Sequence, residues 1–315
     1  MATYTNIQGQ NILIVSSDPA NPTEGQMWYN TTSNTLKGSA SIGAWATGGN
    51  LTTGRQYVGG AGTQTAGLLF GGIVSTPAVS ALTEEYDGTS WTAGGNLSTA
   101  RWQLTGCGIQ TTALAVGGNN GTVQVAVTEE YNGTSWTAGG SLATARATLA
   151  AAGTQTTALA FGGAVAPKAQ TEEYDGTSWT AGGNMGTGRQ ELSGAGTQTS
   201  ALAFPGESQL TSIEEYDGTS WTAGGTYPPT GQRGVYGAGS QTAALGAGGN
   251  ESPNTATFVY DGTSWTTVAP LLIGGGYGAG AGTQTSALAM AGATAPQAQT
   301  QEFTGGGATI TLTTS

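Results

Sequence analysis

The chain contains no histidine and a single cysteine, Cys107. The first absence removes the commonest general base, the commonest metal ligand and every serine–histidine triad. The second excludes an internal disulfide and a cysteine-based zinc site. Positive charge is equally scarce: 7 Lys and Arg stand against 18 Asp and Glu, a formal net charge of -11. Such a chain cannot neutralise a row of phosphates, so neither nucleic acid nor an anionic membrane surface is an expected partner. The longest apolar run near the N-terminus is Ile12 to Val15, with no Lys or Arg ahead of it. That is far short of a signal-peptide core or a membrane span, and no membrane insertion is expected. The chain should be made and kept soluble in a cytoplasm.

Glycine is abundant, 56 of 315 residues, well above the roughly 7% of an average protein, which signals low complexity or many tight turns. Self-comparison shows which. Trp45, Trp91, Trp136, Trp179, Trp221 and Trp265 recur at steps of 46, 45, 43, 42 and 44 residues, a period that marks a solenoid or a propeller. Each copy carries four strand-like segments: a Trp segment such as Trp91 to Leu97 ending at Arg101, a small/polar segment (Leu104 to Thr111), an apolar run closing on a glycine pair (Ala113 to Gly118), and Val127 to Tyr131. Asp-Gly follows in four copies and Asn132-Gly133 in one, the residues favoured at hairpin turns, so the Tyr strand and the next Trp strand are antiparallel neighbours. No 3.6-residue apolar period persists, and the repeated body is all-β.

Four antiparallel strands per repeat, repeated six times, predict a six-bladed β-propeller. The glycine pair followed by Tyr, Trp and Arg resembles the kelch repeat over residues 45–303. The copies depart from it in the closeness of Tyr86 to Trp91, and in Pro205-Gly206 and Ala291-Gly292, which replace two glycine pairs. The fold expected is an all-β, six-bladed kelch-like β-propeller (45–303), preceded by a short N-terminal arm and hairpin (1–44) and followed by a C-terminal strand or tail (304–315). The last blade lacks its own Trp strand. The strand at Trp45 can close it against Gln301-Glu302-Phe303, leaving no open sheet edge at the seam; Ala308 to Leu312 is the alternative.

Arg55, Arg101, Arg146, Arg189 and Arg233 follow five Trp strands, and Gly274 to Gly276 follow the sixth. Glu-Glu precedes Tyr in four copies, while Phe258-Val259 has no acid and runs straight into the Trp strand that lacks an Arg. This coincidence predicts charge-assisted pairs between each Glu and the Arg after the next strand: Glu85–Arg101, Glu130–Arg146, Glu173–Arg189, Glu215–Arg233 and, through the Trp45 closure, Glu302–Arg55. Adjacent strand residues point to opposite faces, so one Glu of each pair should bond Arg and the other face solvent, which argues against paired catalytic carboxylates. Kelch-type copper chemistry needs His ligands, and each Asp-Gly turn offers a single carboxylate where calcium needs several. No catalytic, cofactor or metal residues are expected. The Trp and Tyr series reads as inter-blade packing, and Cys107 as a small buried residue.

The stretch between each glycine pair and Glu strand differs in every copy: Ile73 to Ala81, Asn119 to Ala126, Ala164 to Gln170, Glu207 to Ser212, Asn250 to Ala256 and Ala293 to Gln299. These loops should emerge on one face of the propeller, where binding residues tend to sit. Outside the repeats, Asp18 to Asn30 followed by Ser33 to Lys37 resembles the Pro-rich, Gly-Gln-x-Trp-Tyr-Asn…Leu-Lys hairpin near the start of many tailed-phage fibre and virion proteins. With the Thr-Glu-Glu-Tyr-Asp-Gly-Thr-Ser-Trp repeats, the chain resembles kelch-like virion proteins of marine bacteriophages. The resemblance implies a non-enzymatic, tail-associated structural protein, assembled in the host cytoplasm and located in the virion. Its arm would attach to other virion proteins through Trp28, Tyr29, Asn30 and Leu36, and its blade loops would contact a host surface glycan or outer-membrane protein. A capsid decoration protein and a carbohydrate-active tail enzyme are the alternatives.

Overall fold

The computed structural model describes residues 12–19, 27–41, 43–75, 78–207, 210–228, 232–252, 254–293, 297–305 and 307–311, with the backbone alone at 38–41, 75 and 307–311. It divides into two compact units, Met1–Ala44 with Gly305–Ser315, and Trp45–Thr304.

The larger unit is a six-bladed kelch-like β-propeller. Its first blade runs outward as Gly59–Thr63, Ala66–Phe70, Thr83–Tyr86 and Trp91–Ala93, each strand antiparallel to the next. Four more blades repeat this order, beginning at Thr105–Ile109, Ala150–Gly153, Gly194–Thr197 and Tyr236–Gly239. The sixth is assembled from both ends of the repeated body: Ala279–Gly282, Ser286–Met290 and Thr300–Thr304 are joined on the outside by Ala44–Thr47. The Trp45 strand therefore closes the ring. Gly307–Thr311 instead lies beside Thr35–Ser41 in the smaller unit.

The small/polar composition of the inner strands has a steric cause, because six of them converge on the axis. A Cβ at Gly60 would stand 2.5 Å from the Ala279 Cβ, and one at Gly280 would stand 2.3 Å from the Gly237 carbonyl oxygen. The second strands are apolar on both faces, as in Ala113 to Val116, because each face meets a neighbouring blade. The core is thus six inter-blade layers. One joins Leu68 and Phe70 of the first blade to Ala113, Ala115, Tyr131 and Trp136 of the second. Tyr and Trp of five outer hairpins stack at ring separations between 4.8 Å and 5.0 Å, and Phe303 takes the Tyr position in the sixth.

The hairpin turns work by division of labour. Gly88 takes φ +90°, while the Asp87 carboxylate accepts the Thr89 and Ser90 N–H groups at 2.8 Å and 2.7 Å, an Asx turn that leaves Asp itself in ordinary backbone geometry.

In the smaller unit, Met27–Asn30 and Thr35–Ser41 form a hairpin around a turn at 31–34, with Leu13–Val15 parallel to the first of them. Residues 20–26 of the Pro-rich motif lie outside the described residues.

Trp45 bonds the Thr257 hydroxyl through its indole N–H (3.0 Å) and packs on Phe303 at 5.2 Å. Trp45→Ala should therefore cost about 3–5 kcal/mol, the usual range for a buried aromatic truncated to Ala. Chemical denaturation measures this, and a loss below about 1 kcal/mol would show that the strand does not hold the ring shut.

Candidate functional site

The arginines expected to pair with acids are buried, but with other acids. Arg55 bonds Glu84, Arg101 bonds Glu129, Arg146 bonds Glu172 and Arg189 bonds Glu214. The partner is thus the first Glu of each doublet, in the blade that begins after the Arg rather than the blade before it. Pairing of Arg101, Arg146, Arg189 and Arg55 with Glu85, Glu130, Glu173 and Glu302 is corrected accordingly. The physical reason is the path of the chain. The connection carrying the Arg has already crossed to the next blade, where the first Glu also accepts from its backbone. Glu129 takes the Ser98 N–H and hydroxyl at 2.7 Å and 2.6 Å, and the Arg101 guanidinium also donates to the Val127 carbonyl at 2.7 Å. Burial pulls the Arg101 guanidinium down to about 10 while Glu129 opposes the shift.

The fifth predicted pair fails for a different reason. Three residues before Val58, Leu104, Leu149 and Leu192 stand Arg55, Arg101, Arg146 and Arg189, but three before Val235 stands Gln232. Gln232 is fully buried, and its Oε1 accepts the Glu251 N–H at 3.0 Å. Arg233, one position later, is partly exposed and meets Glu191 and Glu251 at 3.4 Å and 3.5 Å instead of Glu215. The fifth blade correspondingly has Phe258 in place of the acid. In the sixth, Gly275 stands for the Arg and Gln301 for the Glu. The Gln301 amide holds that connection, accepting from Leu272 N–H (2.8 Å) and donating to Ile273 carbonyl (2.8 Å). Arginine and acid are lost together, twice.

The second Glu of each doublet does not simply face solvent. Glu302, Glu85, Glu130, Glu173 and Glu215 accept the phenol hydroxyls of Tyr86, Tyr131, Tyr174, Tyr216 and Tyr260, always from the following blade. Here too the sixth position loses both partners, Val259 facing a blade whose Tyr is Phe303. A third inter-blade tie was absent from the sequence reading. Gln64, Gln110, Gln155, Gln198, Gln241 and Gln284 each donate through Nε2 to two carbonyls of the preceding blade, Gln110 to Gly67 (3.0 Å) and Tyr86 (2.7 Å). The recurring Gln of Gly-Thr-Gln-Thr was the available signal.

At one end of the axis lies the feature that breaks the symmetry. Tyr57, Gln103, Thr148, Glu191, Gly234 and Tyr277, each just ahead of an inner strand, all adopt positive φ between 54° and 65°. Their backbones form a closed cycle: each N–H donates to the carbonyl of the preceding member, from Tyr57 to Tyr277 (2.6 Å) round to Tyr277 to Gly234 (2.9 Å). Positive φ is uncommon for non-glycine residues, and for β-branched Thr148 it is a genuine outlier; the hydrogen-bonded cycle holds these residues there. Outside this cycle, Gln56, Trp102, Ala147, Gln190, Arg233 and Gly276 pair through their backbones with the first residues of the six variable loops. Those loops thus surround the mouth of the axial cavity, although residues 76–77, 208–209, 253 and 294–296 within them lie outside the described residues.

The bore below is walled by Gly, Ala and short side chains. Cys107 is part of that wall and is buried, its thiol pushed up to about 12 by burial. Charge enters only at the mouth, where Tyr277 donates to Glu191 (3.2 Å) and Arg233 faces the same carboxylate. Gly234 is required there, because a Cβ would stand 2.6 Å from the Tyr277 ring. Among the described residues no three His, Cys, Asp or Glu side chains converge as they would around a metal ion.

In the smaller unit Trp28, Asn30 and Leu36 are buried. Trp28 Nε1 and Asn30 Nδ2 donate to Asp18 Oδ1 at 3.0 Å and 2.7 Å, and Lys37 reaches Oδ2 at 2.6 Å. Together, Lys37 first, they hold the Asp18 carboxyl down at about 2. These three side chains are packed within the hairpin unit. Tyr29 alone of the four is only partly buried.

No family model matches the chain, and no curated protein does. Among solved structures, that of YjhT superposes with a TM-score of 0.65 at 15% identity, covering 83% of this chain and 99% of that one, a likeness of fold. No helix among the described residues is long and apolar enough to cross a membrane.

Two expectations follow from the ties between blades. Glu129→Gln strands a fully buried guanidinium and should cost about 3–5 kcal/mol. Adding Arg101→Gln should recover about half, since the blade pair at Gln301 shows an amide holding the same connection; a double variant less stable than the single would refute the pairing. The phenols of Tyr86, Tyr131, Tyr174, Tyr216 and Tyr260 are pushed up to about 12, by burial first and then by their glutamate acceptors. A raised pKa favours the protonated phenol in the folded state. Their stabilisation is therefore complete below about pH 10, the ordinary phenol value, and is lost as pH climbs towards 12. Absorbance at 295 nm should show these tyrosines ionising late, together with unfolding. Uniform titration of all 11 tyrosines near the ordinary value, with the fold intact, would contradict this.

Proposed function

We propose that the chain is a non-enzymatic structural protein of a tailed-phage virion, tail-associated, whose propeller recognises the host surface. The observation that carries this reading is the contrast at the mouth. A sixfold-repeated, hydrogen-bonded backbone frame displays different side chains at equivalent positions, the inner cycle reading Tyr, Gln, Thr, Glu, Gly, Tyr. A rigid frame bearing dissimilar groups and ringed by variable loops suits recognition. Chemistry has less to work with, since the bore carries no charged side chain and the repeated carboxylates are engaged in holding blades together. The separate unit that combines the N-terminal hairpin with Gly307–Thr311 matches the part of the chain that resembles virion attachment segments, and supports its role as the carrier of the propeller. Its partners would be neighbouring virion proteins.

Immunogold electron microscopy of purified particles with an antibody to the propeller tests the location. Label on the tail is expected, with adsorption lost when the six loops are exchanged. Label on the head would assign the chain to capsid decoration, and unlabelled particles would reject the virion reading altogether.

A further inference from the structure

The mouth carries one cluster unlike anything else among the described residues. The ring of Tyr57 lies against Tyr277 with centroids 4.5 Å apart and an interplanar angle of 31°, and Trp102 meets Tyr57 edge-on at 5.3 Å and 86°. Tyr57 and Trp102 are both partly exposed, but they stand perpendicular and share no face; Tyr277 covers one face of Tyr57, so the Trp102 indole is the ring left for stacking. Glu191 stands beside it, accepting from the Tyr277 hydroxyl and facing Arg233, which is itself shared with Glu251.

Several ligand classes are ruled out by this geometry. A quaternary ammonium needs aromatic faces set around a gap of its own size, and these rings already touch one another. An anionic ligand would meet two carboxylates against one guanidinium, in a chain whose net charge is -11. An elongated ligand cannot thread the axis, because the bore offers cavities of only about 110 Å³ and 170 Å³, against the roughly 300–1,000 Å³ of ordinary ligand pockets. A partly exposed indole at a mouth lined by the Glu191 carboxylate and the Gln103 amide, with the Arg233 guanidinium on that carboxylate, has the complement of a neutral pyranose. The C–H face of such a sugar stacks on an aromatic ring, while its vicinal hydroxyls need an acceptor and donors at the ring edge. The backbone cycle fixes Tyr57, Gln103, Glu191 and Tyr277 in advance, with Trp102 and Arg233 each one residue from a member, and its own N–H and C=O groups are consumed, so recognition falls to the side chains.

We propose that this mouth binds a single neutral pyranose unit, stacked on Trp102 beside Tyr57 and hydrogen-bonded by Glu191. This rests on the reading of the propeller as a host-recognition module, and names the class of ligand that module would take.

Saturation-transfer difference NMR on the full chain tests the site, with the methyl α-glycosides of glucose, galactose, mannose and N-acetylglucosamine as probes and choline and glucuronate as comparators. Transfer to at least one neutral glycoside is expected, weakened about tenfold or more, roughly 1.4 kcal/mol, by Trp102→Ala and by Glu191→Gln. The comparators should stay silent. Glu191→Gln conserves size and leaves the Tyr277 hydroxyl an acceptor, so it reads the site without threatening the fold, and thermal melting of both variants verifies this. Silence from all four glycosides, preference for choline or glucuronate, or binding indifferent to both substitutions would overturn the proposal. Each outcome is independent of where the antibody labels the particle. Tail label with no glycoside binding would reject the sugar site alone, and glycoside binding on unlabelled particles would reject the virion assignment alone.

Discussion

The strand Ala44–Thr47 completes a blade whose other three strands lie more than 200 residues later in the chain, and every other repeated interaction presupposes that closure. Neighbouring blades are tied through three sets of side chains, a Gln amide on two carbonyls at all six seams, and a Tyr hydroxyl on Glu and an indole N–H on Thr at five each, as in Trp136 on Thr83 at 3.0 Å. With the ring open, the first and sixth blades would each present an unsatisfied face: Glu302 would lose Tyr86, and Gln64 would lose the carbonyls of Ala287 and Phe303. The backbone cycle at the mouth depends on closure even more directly, because a cycle of six hydrogen bonds exists only when the sixth member returns to the first.

Where the repeat loses a glutamate or its partner, it loses both members together. Gln232 goes with Phe258, Gly275 with Gln301, and Val259 with Phe303; in each, both members of a polar contact have been replaced. An uncompensated change would leave a buried guanidinium or carboxylate without a partner, among the most costly defects a protein interior can carry. The departures gather in the fifth and sixth blades. Relieved of the structural role held by Arg189 and its counterparts, Arg233 is free to join Glu191 at the mouth. The charged residues at the mouth are thus tied to the places where the structural network was rewritten.

Much of this architecture was readable from residue order. The Trp period, the Asp-Gly turns and the missing outer strand of the last copy lead to six blades and to closure by Trp45. The arginine partners were misread because the coincidence of two absences was assigned to neighbours in sequence, the Phe258-Val259 strand and the Trp265 strand, when the contact runs across the connection to the next blade. Which of two adjacent glutamates faces the arginine depends on which face of the sheet meets that connection, and residue order is silent on it. The displacement of the arginine by one position, from 232 to 233, became visible only against the buried Leu and Val that follow it. The glutamine clasps had a plain signal, the same residue at the same place in all six copies, passed over because polar residues in turns are ordinarily solvated.

The amino-acid sequence alone determined the class of fold and the number of blades, since these follow from local turn geometry and strand periodicity. Tertiary structure decided the partners and the site. Tyr57, Trp102, Glu191, Arg233 and Tyr277 belong to five different connections spread over some 220 residues, and nothing local relates them. They meet because six inner strands converge on one axis and bring the segments just ahead of them to a common mouth, where contact is set by the closure of the ring and not by distance along the chain.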